Sequence, residues 1–201
     1  MKTGARAVGV AESYTGDAST LAGVVVRRDR AVEAVSFGEC TVGGSDATVG
    51  VGGVVEALGR PDARYVVVAD VALAWYNILD LEALHVRLGP PVLAVTFEGS
   101  ESLEPALRDA FDGDALDARL DAYRALPPRH AVTVGDDDGR EADARADDAD
   151  RGDVVYVRAV GIGEEHAAEV VRGFTHDGGR PEPVRVAREV ARAGDALQTD
   201  P

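Results

Sequence analysis

Lysine is nearly absent from this sequence of 201 residues. Lys2 is the only lysine among 21 basic residues, whereas 36 residues are acidic and the formal net charge is −15. Such a charge ordinarily repels the phosphates of nucleic acids. At ~1 M salt, however, the Debye length falls to about 3 Å and long-range repulsion is largely screened. The composition therefore predicts a salt-loaded cytoplasm, as in halophilic archaea, and leaves a nucleic-acid partner open.

Cysteine is also scarce, and the sequence has neither a long apolar run nor clustered histidines. Cys40 is the only cysteine, which excludes an internal disulfide and a cysteine-rich metal site and favours a core position. No apolar run approaches the roughly 18 residues that a membrane span needs, and the first residues lack the apolar centre of a signal peptide. We therefore expect a cytoplasmic protein without a membrane partner. The histidines, which have no metal-site spacing, are His85, His130, His166 and His176.

The length and a hydrophobic content of 45% fit one domain with a normal core. We place this domain at residues 1–194 and expect a disordered tail at 195–201. Residues 136–153 are strongly charged and almost free of large apolar side chains. This segment predicts a solvated insertion between two short strands.

The apolar pattern predicts an α/β fold. Three strands that are close in sequence favour an antiparallel meander; they are predicted at Ala5–Ala11, Leu21–Arg28 and Ala31–Thr41. The continuous apolar runs Tyr65–Ala69 and Val92–Val95 are typical of buried parallel strands, with a helix between them at Ile78–Leu88. A last helix is predicted from Pro181 to about Arg192. This order is expected of a ribonuclease H-like mixed sheet flanked by helices, and a plain doubly wound sheet remains the alternative.

A ligand is expected beyond the carboxyl end of strand 65–69, because parallel sheets bind ligands at that end. Acidic, amide and aromatic side chains gather there in sequence: Asp70, Trp75, Tyr76, Asn77 and Asp80. Trp75 and Tyr76 could stack a flipped base or belong to the core and its rim. Asn77 could pair with a base or phosphate, or complete a turn.

Three residue runs resemble sequence blocks of one protein family. Cys40–Thr48 (CTVGGSDAT) resembles a TVDGxDAT block, Ala72–Asp80 (ALAWYNILD) resembles an xxAGFNVVD block, and Arg180–Ala187 (RPEPVRVA) resembles an IPEPLRIA run. All three blocks belong to the endonuclease dU family, relatives of endonuclease V. The resemblance spans nearly the whole chain. It implies an endonuclease V-like fold, repair of DNA containing deaminated bases, and phosphodiester cleavage assisted by Mg²⁺ or Mn²⁺.

The acidic positions depart from this family. Where its first strand usually ends in GVDDG, this chain has Gly9–Ser13 (GVAES). Where its central strand often ends in LDGIT, this chain has Val68–Ala72 (VADVA). Ala11 and Ala69 thus stand at positions where acidic ligands are expected, each with a carboxylate one residue later. In a regular strand, such a displacement turns the side chain to the opposite face.

The resemblance implies Glu12 and Asp70 as catalytic residues and metal ligands, with Asp46 in support. Cleavage by two metals needs several carboxylates that converge within a few ångströms. Each acid also has a structural interpretation, such as a helix cap or a solvated loop residue. The side chains expected to contact the nucleotide are Thr41, Trp75, Tyr76 and Asn77.

Two other functions remain open at this point. One is a nucleic-acid-binding module on the same fold, whose metal site is lost through Ala11 and Ala69. The other is a small-molecule α/β enzyme that uses the pocket at Asp70–Asp80.

Overall fold

The computed structural model describes residues 4–99, 102–134, 154–176 and 179–199. Its sheet begins with three antiparallel strands: β1 (Arg6–Tyr14), β2 (Ala18–Arg27) and β3 (Val32–Thr41). The β1–β2 register runs unbroken from Arg6 opposite Arg27 to Tyr14 opposite Ser19. The predicted meander is confirmed, and β1 extends beyond its predicted end at Ala11 so that it includes Glu12.

The rest of the sheet mixes parallel and antiparallel strands. β4 (Tyr65–Ala69) lies parallel to β1, and β6 (Val92–Thr96) lies parallel to β4. β8 (Val154–Val160) pairs antiparallel with β6, and β7 (His130–Thr133) pairs with β8. The sheet order β3-β2-β1-β4-β6-β8-β7 confirms the predicted fold class. The insertion predicted at 136–153 lies outside the described residues.

Helices cover both faces of the sheet. On one face, α1 (Ala47–Ala57) and α3 (Leu81–Leu88) share a buried apolar cluster with Val8 and Val10 of β1. Strand side chains alternate between faces, so the intervening residues of β1 belong to the other face. We call the first face the α1 face.

The second face is covered by α6 (Glu164–Phe174) and α7 (Glu182–Thr199). These helices share a buried cluster with Ala11 of β1 and Ala69 of β4, and we call this face the α7 face. Two further helices, α4 (Glu104–Ala110) and α5 (Gly113–Arg124), follow β6. In the described part of the chain, no helix has the combined length and apolarity of a membrane-spanning segment.

The crossing from β4 to α3 differs from the prediction. The chain forms a left-handed turn, α2 (Leu73–Tyr76), and then a two-residue strand, β5 (Asn77–Ile78). This strand pairs with Ala72 and Leu73, so the chain folds back on itself here. The helix predicted to start at Ile78 therefore begins at Leu81. Its cap is Asp80, whose carboxylate accepts a hydrogen bond from the Ala83 N–H at 2.9 Å.

The predicted end of the last helix near Arg192 is wrong, because α7 continues to Thr199 and takes in most of the segment predicted as a tail. Polar contacts hold the last turns on the sheet. The buried Asp195 carboxylate accepts hydrogen bonds from the hydroxyls of Ser13 at 3.3 Å and Thr15 at 2.5 Å. These contacts tie the end of α7 to the end of β1.

Candidate functional site

Acidic side chains stand at the ends of three neighbouring strands. Glu12 lies near the end of β1, Asp70 directly follows β4, and Glu98 follows β6. The carboxyl ends of adjacent parallel strands meet at one edge of a sheet, where α/β proteins bind ligands. The structure therefore brings the predicted ligands Glu12 and Asp70 to the same edge, which we call the carboxyl edge.

Glu12 keeps regular strand geometry. It pairs with Leu21 in the unbroken β1–β2 register, and Leu21 belongs to the cluster on the α1 face. Its Oε2 accepts a hydrogen bond from the Ser19 hydroxyl at 2.8 Å. Ala11, in contrast, is buried on the α7 face. The carboxylate at position 12 therefore points away from the face to which position 11 belongs.

Asp70 has left strand geometry, since its φ of +95° is one that residues other than glycine rarely adopt. Its N–H still donates to the Val95 carbonyl at 3.0 Å. Its Oδ1 accepts hydrogen bonds from the N–H groups of Val71 at 2.6 Å and Ala72 at 3.3 Å. Burial raises the pKa of Asp70 by more than these two hydrogen bonds lower it. The carboxylate thus stabilises the turn that follows β4.

Arg188 of α7 is a basic side chain that interacts electrostatically with Glu12 and Asp70. Burial and repulsion from Arg180 and Arg192 lower its pKa, while attraction to Glu12 and Asp70 raises it. The side chain is half-buried. Among the described residues, none lies within hydrogen-bond or ion-pair distance of its guanidinium group. The carboxyl edge therefore combines acids with an arginine that the described residues do not pair.

The residues at this edge do not fit the expected Mg²⁺ or Mn²⁺ centre. Within the described ranges, no three histidine, cysteine, aspartate or glutamate side chains are gathered as a metal site, although hard cations need several oxygen ligands. Ala11 and Ala69 supply none, and Glu12 and Asp70 each use an oxygen within the protein. Arg188 also brings its own positive charge. These side chains therefore do not form the expected metal centre by themselves, and the requirement for Mg²⁺ or Mn²⁺ in cleavage stays a prediction.

Asp46 and Thr41 belong to a hydrogen-bonded corner at the end of β3. Asp46 Oδ1 accepts from the Thr41 N–H at 3.0 Å and from Asn77 Nδ2 at 2.7 Å, and its Oδ2 accepts from the Thr41 hydroxyl at 2.8 Å. Burial raises the pKa of Asp46, but these hydrogen bonds outweigh burial and hold the pKa below its usual value. We call Thr41, Asp46 and Asn77 the Asp46 corner.

Asn77 completes this corner from the other side. It is fully buried, its Oδ1 accepts from the Ala47 N–H at 3.0 Å, and its Nδ2 also donates to the Thr41 carbonyl at 3.0 Å. Asp46 occupies the N-cap position of α1 without a capping hydrogen bond from its side chain. Asn77 therefore caps α1, and its amide serves the turn rather than an open surface.

Trp75 and Tyr76 lie on the turn after β4, where Trp75 remains 48% exposed. The Trp75 ring lies 5.8 Å from the Tyr76 ring and 5.1 Å from the Phe111 ring, measured between centroids. The Arg119 guanidinium stacks on the Phe111 ring, 3.9 Å from its centroid. We call Trp75, Tyr76 and Phe111 the aromatic tip.

The backbone under the tip is strained. Ala74, Trp75 and Tyr76 have φ values of +42°, +58° and +64°, a conformation that disfavours L-residues by roughly 1–2 kcal/mol each. The Ala74 carbonyl accepts a hydrogen bond from the Gly43 N–H at 2.7 Å, and Arg119 donates to the Gly43 carbonyl. A Cβ at position 43 would lie 2.9 Å from the Trp75 ring. Backbone and side-chain contacts thus fix where the exposed indole stands.

The cysteine and the histidines are the other candidates for a nucleophile or a base. Cys40 is buried in the apolar cluster of the α1 face, so the core position predicted for it is confirmed. Burial raises the pKa of its thiol to about 11, and its thiolate is therefore scarce at neutral pH. The histidines contact separate partners: His85 the Pro90 carbonyl, His130 the Glu164 carboxylate, His166 the Tyr65 hydroxyl and His176 the Arg28 carbonyl.

The sequence prediction missed Arg188, Phe111 and Arg119. Helical spacing carries a signal for Arg188, because Val184 and Ala187 mark the buried face of α7 and Arg188 borders that face. No local pattern directs Phe111 or Arg119 toward the aromatic tip, since the α4–α5 segment delivers them from later in the chain.

The fold is that of endonuclease V. Endonuclease V of Ciona intestinalis, solved with a 24mer DNA containing an inosine followed by a ribo-adenosine, matches with a TM-score of 0.60 and 13% identity, over 96% of this chain and 87% of that chain. A protein of unknown function from Archaeoglobus fulgidus DSM 4304 matches with a TM-score of 0.75 and 21% identity, over 94% of this chain and 97% of that chain. At these identities the likeness concerns the fold.

Sequence comparison identifies the family. The Endonuclease dU family matches residues 3–194. A UPF0215 protein of Pyrobaculum calidifontis is 35% identical over 175 residues, which cover 86% of each chain. The chain therefore belongs to the Endonuclease dU family, as the three residue runs predicted. Family and fold together support a nuclease.

Proposed function

We propose that the protein acts on DNA containing deaminated bases and binds it at the carboxyl edge. The observation that carries the proposal is the aromatic tip, where an exposed indole is fixed on the strained turn that follows Asp70 in the chain. A rigid exposed ring is suited to stack on an unpaired base, and such stacking contributes about 1–3 kcal/mol per base. The DNA-bound endonuclease V of the same fold supports a nucleic-acid ligand.

The acidic surface is compatible with this ligand at high salt. At ~1 M salt the Debye length is about 3 Å, so the net charge of −15 acts on a phosphate only through near neighbours. Affinity then depends on direct stacking and hydrogen bonding at the edge. Binding of this kind changes little as the salt concentration rises further.

For the chemical step, we propose phosphodiester cleavage by an endonuclease of the dU type, with Glu12 and Asp70 as the catalytic acids. Family membership and fold support a nuclease, and the choice of residues rests on the position of both acids at the carboxyl edge. A second function, binding without cleavage, is supported by one specific observation: Ala11 and Ala69 occupy the α7 face of adjacent strands without a carboxylate. The two functions share the binding surface and differ only in turnover.

The test combines binding and cleavage. Labelled single-stranded and duplex oligonucleotides with one uracil or inosine are incubated with the protein in KCl at ~1 M, with Mn²⁺, Mg²⁺ or EDTA. We expect Trp75→Ala to weaken binding about tenfold, from the loss of one stacking contact. Phe37→Ala removes an exposed aromatic from β3 and serves as the matched control.

The outcomes separate the alternatives. Cleavage that Glu12→Gln and Asp70→Asn abolish supports the nuclease, and tight binding without cleavage supports the binding module. A protein that binds no oligonucleotide contradicts the proposal. Specific binding of a small metabolite in that case favours the small-molecule enzyme.

A further inference from the structure

Arg188 differs from the arginines around it on α7. Arg185, one turn earlier, donates two hydrogen bonds to Glu182 at 2.6 and 2.7 Å, and Arg192, one turn later, donates to Glu189 at 3.2 Å. Arg188 is half-buried and has no such partner among the described residues. Its guanidinium carries five N–H donors. These donors remain available to a ligand.

The contacts of α7 fix where Arg188 lies. Near the start of the helix, Pro183 rests on Gly9 of β1, where an added Cβ would come within 2.0 Å of the Pro183 carbonyl oxygen. Near its end, Asp195 accepts a hydrogen bond from Ser13 of the same strand. The helix rises about 1.5 Å per residue and the strand about 3.3 Å. Arg188 therefore lies alongside the strand residues between these two contacts.

Those strand residues carry methyl groups where a carboxylate could have neutralised the arginine. Ala11 and Ala69 are buried in one cluster on the α7 face. The register pairs Val10 with Val68, so the two alanines that follow are side by side on parallel strands. The methyl side chain of an alanine has no atom that could accept a hydrogen bond from the guanidinium group. The sheet beneath Arg188 thus offers no counter-charge at these two positions.

We propose that Arg188 binds a backbone phosphate of nucleic acid at the carboxyl edge and that this contact requires no divalent cation. The inference rests on the proposed function and names the group that holds the DNA. A guanidinium matches phosphate oxygens in bidentate geometry and stays charged at any physiological pH. Because Glu12 and Asp70 repel a phosphate, a fixed cation beside them is needed to hold one there.

Arg180 adds a second positive charge. Its guanidinium lies over the Phe97 ring, 4.7 Å from the centroid, and it acts electrostatically on Arg188. A phosphodiester chain carries one charge per nucleotide, so a second arginine at the same edge provides a positive charge for a neighbouring phosphate. An isolated phosphate would use only one of them.

The test is fluorescence anisotropy of a labelled single-stranded oligonucleotide containing one uracil, at ~1 M KCl, where only near contacts survive screening. One series contains Mg²⁺ and the other contains EDTA, and wild type is expected to bind equally in both. Arg188→Ala is expected to weaken binding about ten- to hundredfold, and Arg188→Lys to restore part of the loss. Arg185→Ala, which removes the same charge from the same helix, is the matched control and should bind like wild type.

Several results would overturn the inference. Wild-type binding that EDTA abolishes, or equal binding by wild type and a folded Arg188→Ala variant, contradicts it while leaving the proposed function intact. Competition by uridine monophosphate at the concentration of an unlabelled oligonucleotide contradicts a role for the backbone. Absence of wild-type binding under every condition refutes the proposed function itself. Circular dichroism melts establish that each variant is folded.

Discussion

The Asp46 corner and Arg188 lie at the same edge of the sheet, but they differ in whether their polar groups are hydrogen-bonded within the protein. In the corner, the side-chain oxygens of Asp46 and the amide of Asn77 all have hydrogen-bond partners within the protein. Arg188 has none among the described residues. Removing a polar group that is hydrogen-bonded within the protein is expected to lower the stability of the fold. Removing a polar group that has no partner in the protein is expected to weaken the binding of a ligand.

This difference changes how the family motif should be interpreted. Thr41, Asp46 and Asn77 match family blocks, and all three are used to hold β3, α1 and β5 together. Likeness to a nuclease block therefore does not distinguish a residue that binds DNA from one that builds the edge. The variants below separate the two classes, beginning with the largest expected effect.

Asn77→Ala is expected to lower the free energy of unfolding by about 3 kcal/mol, because it leaves the buried Ala47 N–H without a partner and removes the hydrogen bonds that Asn77 Nδ2 donates to the Thr41 carbonyl and to Asp46 Oδ1. Chemical denaturation in concentrated KCl measures this loss. Arg188→Ala, in comparison, should change the free energy of unfolding by less than about 1 kcal/mol. Equal destabilisation by the two variants would remove the distinction between the regions.

Ala11→Asp tests whether Arg188 lies beside Ala11. The new carboxylate is buried, and its cost should be smaller when Arg188 is present to pair with it. A double-mutant cycle with Arg188→Ala should therefore give a coupling free energy of about 2 kcal/mol. Additive effects would show that the two side chains are apart. Ala11→Asn, of similar size and without charge, is the control.

Gly43→Ala should lower the free energy of unfolding by about 1 kcal/mol, because Gly43 has a φ of +67° and its new Cβ would lie 2.9 Å from the Trp75 ring. The displaced indole should also weaken oligonucleotide binding. Gly59→Ala is the matched control, since Gly59 has a φ of +58° with nothing within 4 Å of an added Cβ. If both variants lose stability equally but only Gly43→Ala loses binding, the tip contact is responsible.

Asp70→Asn has the smallest expected effect, and the size of this effect depends on pH. Burial raises the pKa of Asp70, so its stabilising contribution is fully present below the usual aspartate pKa and is lost as the pH rises through the raised value. The variant should therefore be more stable than wild type at pH 7, with the difference shrinking toward pH 3 to 4. Thermal melts across this range measure it. Asp109→Asn, on an exposed part of α4, controls for charge removal; a difference for Asp70→Asn that grows on acidification would contradict the assignment.

The sequence predicted the sheet well because apolar periodicity reports burial directly. The apolar run Tyr65–Ala69 has the bounds of β4, and the run Val92–Val95 falls one residue short of the end of β6. The turn at Ala74–Tyr76 could not be predicted, because left-handed residues there are stabilised by Gly43 and Arg119 from distant segments. The end of α7 depends in the same way on contacts to β1.

The candidate site was predicted only in part, for a related reason. Glu12, Asp70 and Trp75 follow strands that sequence patterns identify, so their common edge could be inferred. The role of Asn77 depends on hydrogen bonds to α1 and β3, which no local pattern encodes. Arg188 becomes notable only once the two alanines beneath α7 are known to be neighbours.

The most direct measurement is a crystal structure with a short uracil-containing oligonucleotide, grown in concentrated KCl with EDTA. We expect a backbone phosphate oxygen about 3 Å from the Arg188 guanidinium and an unpaired base stacked on Trp75. An oligonucleotide bound elsewhere, or bound only when a divalent cation bridges Glu12 and Asp70, would contradict it.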